Sequence, residues 1–255
     1  SYVVVAFDRA KPTFRQQLYV GYQAQRPKME SDLSSQYQAI IEILKKAKIQ
    51  EIGVDGFEAD DVIGTLSERA NKEGILTYIV TGDRDMLQLV DQDTLVLMPV
   101  KGISEVKLHD EESVKASYNV DPSQFVDLKA LTGDASDNYP GVAGIGPKTA
   151  ATLINEYENV ENIYKHLDDI AVKNKNLAQK LIDGAESAEL GKKLAQIVLD
   201  VPFSCEFSDC RSSDIDVKGF KKALEEFEFK TLPQRVEEVF IKKEETKKQN
   251  QMKLL

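Results

Sequence analysis

The sequence is poor in the residues that build disulfide scaffolds and zinc sites. Only two cysteines and two histidines occur among its 255 residues. Cys205 and Cys210 stand in a C-x4-C spacing that fits neither a zinc knuckle nor a disulfide framework, so we interpret both as ordinary thiols in a reducing compartment. His109 and His166 have no partner at metal-binding spacing and are predicted to be surface residues.

Long hydrophobic runs are also absent. No apolar stretch approaches the roughly 18 residues needed to span a bilayer, which predicts a soluble chain with no membrane partner. The N-terminal VVVAF run is too short for a signal peptide and ends at Asp8. With 42% hydrophobic residues the chain can still bury a substantial core, arranged as one large domain or two small ones.

Acids, by contrast, are abundant in the middle of the chain, where they form two clusters. Their members are Glu58, Asp60, Asp61, Asp83 and Asp85. The intervening pattern predicts a helix, Asp60–Lys72, and a buried strand, Ile75–Val80, which would bring both clusters to one sheet edge. Like-charged carboxylates raise each other's pKa, so such a group stays ionised only with hard divalent cations among its oxygens. Helix capping is the alternative for the first cluster.

The D-x-D spacing of Asp83 and Asp85 lets both carboxylates face one ligand if the strand extends through them. Three further acids occupy positions typical of ligands. Asp8 follows a predicted strand, Ser1–Phe7, of the kind found in parallel sheets, although it could simply start a turn. Asp134 and Asp137 are three residues apart and are predicted to share one helix face.

The net charge of −10 argues, taken alone, against a nucleic-acid partner. Setting aside the eight clustered acids leaves about −2, and bound cations would raise the local potential further. Ala10–Lys28 even has a basic and aromatic composition that suits contact with single strands. Its members are Lys11, Phe14, Arg15, Tyr19, Tyr22, Arg26 and Lys28. An amphipathic surface helix is the alternative for this segment.

The other elements predicted before Asp121 are those of an α/β core. They are a helix with Ser31 as its N-cap, a short strand at Gln50–Val54, and a hairpin of Thr94–Pro99 with Ile103–Leu108. From Asp121 onward β-runs stop, so we predict an α/β core at residues 1–120, a helical region at residues 121–240 and a disordered charged tail at residues 241–255.

A Gly-rich segment opens the helical region. Pro147 separates Gly146 from Lys148, so the segment is not a Walker A loop, and a helix-hairpin-helix turn fits better. Its glycines would let backbone N–H groups approach a phosphate, with Pro147 as the first residue of the following helix. The residues predicted to contact phosphate are Gly141, Gly144, Gly146, Lys148 and Thr149.

Taken together, these motifs resemble the prokaryotic 5′-nuclease (flap endonuclease) family, and in particular the 5′-to-3′ exonuclease domain of bacterial DNA polymerase I. The matching motifs are Phe7-Asp8, Phe14-Arg15, EADD at Glu58–Asp61, TGDRD at Thr81–Asp85, TGDASDN at Thr132–Asn138 and GVAGIGPKTA at Gly141–Ala150. The resemblance implies a PIN-like parallel α/β core with a helical arch at about residues 10–28. It also implies a helix-3-turn-helix element that grips duplex DNA and binds K⁺.

By the same resemblance, the acids would hold two Mg²⁺ or Mn²⁺ ions. Asp8, Glu58, Asp60 and Asp61 would serve one position, and Asp83, Asp85, Asp134 and Asp137 the other, some of them through water. Arg26 would act at the scissile phosphate, and Tyr22 and Gln23 would contact DNA. The implied function is a structure-selective 5′-nuclease of replication and repair, monomeric, cytoplasmic and nucleoid-associated.

Two departures from the family pattern matter. The arch motif usually reads Tyr-Lys-x-x-Arg, whereas Tyr22, Gln23 and Arg26 place a neutral amide at the lysine position. The family's sheet also begins with a strand that would precede Ser1, and its Asp-Gly pair supplies another metal ligand. The present sequence does not contain this strand. We therefore expect impaired activity, with a branched-DNA binding module as the alternative function.

The last five residues, Gln251–Leu255, resemble the short peptides that dock on bacterial sliding clamps. A chance match is the alternative, because apolar residues are common at chain ends.

Overall fold

The computed structural model describes residues 1–27, 30–102 and 105–240 of the chain. These residues form two compact units. The smaller unit comprises Ser1–Phe7, Pro27–Gly53 and the chain from Pro202, and the larger comprises Asp8–Arg26 and Val54–Val201. The predicted tail and its clamp-like peptide, Gln251–Leu255, lie outside the described residues.

The described part of the chain is mainly helical, with short strands. The α-helices are α1 (Phe14–Leu18), α2 (Ser31–Ala47), α3 (Ala59–Lys72), α4 (Glu111–Tyr118), α5 (Phe125–Thr132), α6 (Pro147–Tyr157), α7 (Val160–Lys165), α8 (Leu167–Lys173), α9 (Lys175–Asp183), α10 (Ala185–Ala195) and α11 (Val217–Glu226). The strands are β1 (Val4–Ala6), β2 (Gln50–Ile52), β3 (Thr77–Val80), β4 (Thr94–Lys101), β5 (Glu105–His109), β6 (Gly133–Asp134) and β7 (Tyr139–Pro140). Short 3₁₀ helices occupy Arg84–Leu89, Pro122–Gln124 and Phe207–Cys210.

In the smaller unit, β1 and β2 pair in parallel, as the apolar run at the N-terminus predicted. Helices α2 and α11 pack together through Ile43, Ala223 and Leu224, all of them buried. Glu30, and not Ser31, is the N-cap of α2, and no side chain caps it. The apolar stripe of α2 is therefore stabilised by its packing on α11 more than by capping.

The larger unit contains the sheet β3–β4–β5, in which β3 and β4 are parallel and β4 and β5 form the predicted antiparallel hairpin. The sequence predicted a buried strand here, but β3 is only partly buried. Ile79 is buried, whereas Tyr78 and Val80 are exposed. This alternation is typical of a sheet with one covered face. His109, at the end of β5, is buried, which corrects the surface position predicted for it, whereas His166 is exposed as predicted.

The helical region packs against this sheet as one hydrophobic core. Its largest fully buried side chains include Phe125, Leu131, Ile154, Ile163 and Leu181. Asn174 separates α8 from α9 because its side chain accepts a hydrogen bond from the Leu177 N–H and caps α9.

The helical region also contains a small β-ladder, which the sequence pattern did not predict. β6 and β7 pair antiparallel through two residues each, so Asp134 ends β6 and Asp137 lies in the turn after it, and the two acids do not share a helix face. Gly133 has a φ of 70°, and a Cβ added there would lie 2.3 Å from the Gly141 nitrogen. Gly133 and Gly141 thus allow two backbone segments to approach closely, and a contact of this kind leaves no hydrophobic pattern in the sequence.

No helix in the described ranges is long and apolar enough to cross a membrane.

Candidate metal centre

Five of the predicted acids line one cavity of about 230 Å³ in the larger unit. They are Asp8, Glu58, Asp60, Asp83 and Asp137. Glu58 is the N-cap of α3 and Asp60 lies in its first turn, while Asp83 follows β3. Asp8 accepts a hydrogen bond of 2.8 Å from the Ala59 N–H. Segments distant in sequence therefore deliver their carboxylates to one place, as predicted from the ends of strands.

Burial and crowding shift the pKa values of two of these acids, Asp60 and Glu58. Burial raises the pKa of Asp60 to about 8, and the negative charges of Asp83, Glu58 and Asp8 contribute to the rise. Burial also raises the pKa of Glu58, although the charge of Arg15 acts in the opposite direction. The raised pKa of Asp60 means that, without a bound cation, the cavity resists the negative charge that its full ionisation would bring. An all-oxygen donor set of this kind suits a hard divalent cation.

Asp60→Asn tests this crowding through stability. Because the folded state keeps the Asp60 proton between about pH 4 and pH 8, the cation-free protein should lose stability as the pH rises through that window. In EDTA at pH 8.5 the substitution should raise the Tm by about 4–8 °C, the equivalent of about 2 kcal/mol, and at pH 4 it should change little. Thermal scans of the exposed-site control Asp200→Asn should show no such pH-dependent gain. A D60N protein that is less stable than the parent at pH 8.5 would contradict the assignment.

Asp61 lies outside the cavity, in a buried ion pair with Arg15. The two guanidinium N–H groups donate to the two Asp61 oxygens at 2.7 and 2.8 Å. Asp61 also accepts the backbone N–H groups of Glu58 at 3.0 Å and Val198 at 2.9 Å. Its oxygens are therefore occupied, and the metal-ligand position expected for Asp61 needs correction.

The contact with DNA expected for Arg15 also needs correction, because Arg15 is 2% exposed and cannot reach a DNA phosphate. Besides its bonds to Asp61, it donates to the carbonyl oxygens of Leu194 at 2.8 Å and Gln196 at 2.7 Å. Arg15 thereby connects α1, the start of α3 and the end of α10. Its role is to position these elements around the cavity.

Asp85 and Asp134 form a second acidic group, with Lys129 between them. The Lys129 ammonium lies 2.5 Å from Asp85 Oδ1 and donates a hydrogen bond to Asp134. Burial raises the pKa of Asp85 to about 6. Burial acts against ionisation of Asp134 as well, but hydrogen bonds from Lys129 and Ser136 outweigh it and lower that pKa to about 2. Lys129 was not predicted from the sequence.

Asp83 and Asp85 do not project from one strand. The strand ends at Val80, and a 3₁₀ helix begins at Arg84 with Asp83 as its N-cap. Asp83 accepts the Asp85 N–H at 2.9 Å and lines the cavity, whereas Asp85 lies against Lys129. The strand extension on which the predicted pairing of the two carboxylates depended does not occur.

Three residues of the predicted arch converge on Asp137. Arg26 donates to Asp137 Oδ1 at 2.6 Å, and the Gln23 amide lies 3.2 Å from the same oxygen. The Tyr22 hydroxyl lies 3.1 Å from both Asp137 and Glu58. Tyr22 is 4% exposed, so it orients carboxylates and is not available to stack on a base. Gln23 and Arg26 remain at the cavity wall.

One buried polar atom beside these acids, the Tyr139 hydroxyl, lacks a hydrogen-bond partner among the described residues. Buried polar atoms are nearly always satisfied, so this hydroxyl is positioned to bind an additional polar group. In the described ranges no three acids stand in metal-ligand geometry. Arg26 pairs with Asp137, and Lys129 pairs with Asp85 and Asp134. The donor chemistry fits a divalent cation, which would replace these internal cations.

The Gly-rich turn has the predicted form. Gly146 is the N-cap of α6, and Pro147 is its first residue. Gly144 has a φ of 77°, which favours glycine, and its carbonyl accepts a hydrogen bond from Lys180 at 3.2 Å. Lys148 is exposed at the start of α6. The free N–H groups of the first turn of a helix can bind an anion there.

Comparison with known proteins agrees with this architecture. Residues 1–119 match the model of the 5′-3′ exonuclease N-terminal resolvase-like domain, and residues 120–218 match the model of the 5′-3′ exonuclease C-terminal SAM fold. DNA polymerase I of Thermus filiformis is 40% identical over 90% of this chain, and that of Streptococcus pneumoniae is 37% identical over 92%. The chain spans about a quarter of the length of these relatives, 27% and 26% respectively.

Solved structures share the fold. The T5 5′-exonuclease with bound zinc superposes with a TM-score of 0.64 at 24% identity, covering 87% of this chain and 83% of that one. The catalytic core of Rad2 in complex with DNA gives 0.55 at 19% identity, covering 93% and 76%. These matches confirm the predicted fold class, an α/β core followed by a helical region. The chain belongs to the 5′-3′ exonuclease family.

Proposed function

We propose that the chain is a structure-selective 5′-nuclease that hydrolyses DNA phosphodiesters at junctions of single strand and duplex. The observation that carries the proposal is the cavity lined by five carboxylates, with Lys11, Gln23 and Arg26 on the same wall. Acids that hold cations and bases that hold phosphate are the two components that phosphodiester hydrolysis requires. Family membership supports the same activity.

Two divalent cations, Mg²⁺ or Mn²⁺, would bind among the acids. Asp8, Glu58 and Asp60 would serve one position, and Asp83, Asp85, Asp134 and Asp137 would serve the other, some of them through water. Such cations supply charge neutralisation and activation of water. Solved relatives with divalent metal ions support this dependence.

The chain's own residues bind and orient the DNA. Arg26, half exposed beside Asp137, is placed to pair with a phosphate once a cation occupies that carboxylate. Lys11 is exposed at the cavity and pairs with Asp55, which a phosphate could replace. Gly141, Gly144, Gly146, Lys148 and Thr149 would hold the duplex backbone at the start of α6, with K⁺ bound to the turn. Contacts of this kind recognise shape and not sequence.

Cleavage of a 5′-flap DNA in Mg²⁺, with binding measured in Ca²⁺, tests the proposal. Asp83→Asn should reduce the cleavage rate by roughly 100-fold or more, because it removes a cation ligand, while the Kd in Ca²⁺ changes less than about threefold. Asp200→Asn, an exposed acid of the same unit, serves as the matched control and should cleave normally. The proposal fails if the unmodified chain binds no flap DNA, or if D83N cleaves at the parental rate.

The second candidate function is a branched-DNA binding module with weak catalysis. It is favoured by Gln23, whose neutral amide lies against Asp137. The same assay separates the two candidates, since the module would bind flap DNA in Ca²⁺ and show no Mg²⁺-dependent cleavage. Roles in replication and repair, a monomeric state, a cytoplasmic nucleoid-associated location and the sliding-clamp peptide remain predictions.

A further inference from the structure

The two cysteines, which the sequence analysis interpreted as ordinary thiols, lie side by side in the smaller unit. Their Sγ atoms are 3.4 Å apart, and both are free thiols. Disulfide formation requires S–S contact at about 2.05 Å, so an approach of about 1.4 Å would join them. Rotation about the Cα–Cβ bonds can supply a movement of that size.

The two sulfurs differ in their surroundings. Cys210 is 3% exposed and its thiol points toward the Glu206 carbonyl oxygen at 3.6 Å, whereas Cys205 is only partly buried. Burial, with the neighbouring Cys205, raises the pKa of Cys210 to about 12. Cys205 is thus the sulfur that a solvent oxidant can reach, and Cys210 is the protected partner behind it.

The turn that carries the pair is tied to the start of β1. The Val3 N–H donates to the Cys210 carbonyl oxygen at 2.8 Å, and the Ser212 N–H donates to the Ser1 carbonyl oxygen at 3.0 Å. The rings of Tyr2 and Phe207 also meet, with centroids 5.5 Å apart. A covalent link between Cys205 and Cys210 would therefore stiffen the segment that holds the N-terminal strand.

We propose that Cys205 and Cys210 form a reversible disulfide when the protein meets hydrogen peroxide. The Cys205 sulfur attacks one peroxide oxygen, so an S–O bond forms, the O–O bond breaks and the Cys205 proton leaves with the departing oxygen as water. The Cys210 sulfur then attacks the oxidised sulfur, an S–S bond forms, and the S–O oxygen leaves with the Cys210 proton as a second water. The two thiols lose two electrons, which the peroxide accepts.

This modification site is independent of the proposed nuclease function. In reducing compartments such disulfides are typically transient and serve redox sensing, which fits a pair that is reduced in this structure. The spacing signal missed the pair because a 3₁₀ turn, Phe207–Cys210, brings the second sulfur back to the first.

Intact mass and thiol alkylation after exposure of the whole chain to a small excess of hydrogen peroxide test the proposal. The parent should lose about 2 Da and both alkylation sites, and dithiothreitol should restore them. The oxidised form should melt about 2–6 °C above the reduced form. Cys205→Ser should keep its free Cys210 alkylatable after denaturation, and Cys210→Ser should gain oxygen at Cys205 without losing about 2 Da.

Three outcomes would overturn the inference. These are peroxide-treated parent protein whose two cysteines both gain oxygen, parent protein that forms only covalent dimers on a non-reducing gel, and a pair that stays alkylatable throughout. The parent measurement alone is decisive, so it does not depend on the folding of either serine variant.

Discussion

Replacement of Arg15 with methionine is expected to destabilise the protein by about 3–5 kcal/mol, the largest stability effect we predict for a single site. Asp61 is 0% exposed and would be left buried without its bidentate partner. The carbonyl oxygens of Leu194 and Gln196 would lose their donor as well. Urea unfolding in EDTA at pH 7 measures the change as a fall in the midpoint at constant slope.

Matched variants separate charge from packing at this site. Arg15→Lys keeps the charge but not the forked donors, so it should recover only part of the loss. Pairing Arg15→Met with Asp61→Leu removes the unpaired charge and should recover at least 1 kcal/mol relative to R15M alone, an estimate from buried ion pairs elsewhere. Arg84→Met, at an exposed arginine, should have little effect. An R15M protein as stable as the R84M control would refute the positioning role.

Gln23→Lys is expected to increase the rate of flap cleavage by roughly tenfold to 100-fold, the largest gain of activity among our predictions. The Gln23 side chain lies 3.2 Å from Asp137 Oδ1 at the cavity wall. A lysine there would place a positive charge where negative charge develops at the scissile phosphate. Gln23 has a φ of 54°, and because lysine has the same unbranched Cβ it adds no new backbone strain.

Gln25→Lys provides the control for this gain, since it adds the same charge to an exposed position in the same turn. Both variants should bind DNA somewhat more tightly at low salt, through general electrostatics. Only Q23K should raise the single-turnover rate at saturating DNA. Equal single-turnover rates for Q23K and Q25K would show that position 23 has no special place in the reaction.

The acids could be found from the sequence because their clustering is itself the signal. Carboxylates at the ends of strands and at the start of α3 are local features, and the fold brings five of the eight predicted acids to one cavity. The cations that pair with them could not be found in this way. Arg15 and Asp61 are 46 residues apart, so nothing local records the contact.

The direction in which individual side chains point was the second feature that could not be predicted from the sequence. Asp61 and Asp60 are neighbours on one helix, yet one turns into the protein and the other into the cavity. Asp61 turns into the protein because it binds Arg15 and the Val198 N–H, which belong to other segments of the chain. Likewise Asp134 and Asp137 were placed on a helix because their spacing permits it, whereas Gly133 and Gly141 favour a turn.

The bond between Arg15 and the Leu194 carbonyl oxygen has a consequence for biosynthesis. Its partners are 179 residues apart, so the cavity wall cannot be completed until most of the chain has left the ribosome. Long-range closure of this kind delays the final arrangement to a late step of folding. We therefore expect the acidic cavity to reach its final shape only after α10 has packed beside α1 and α3.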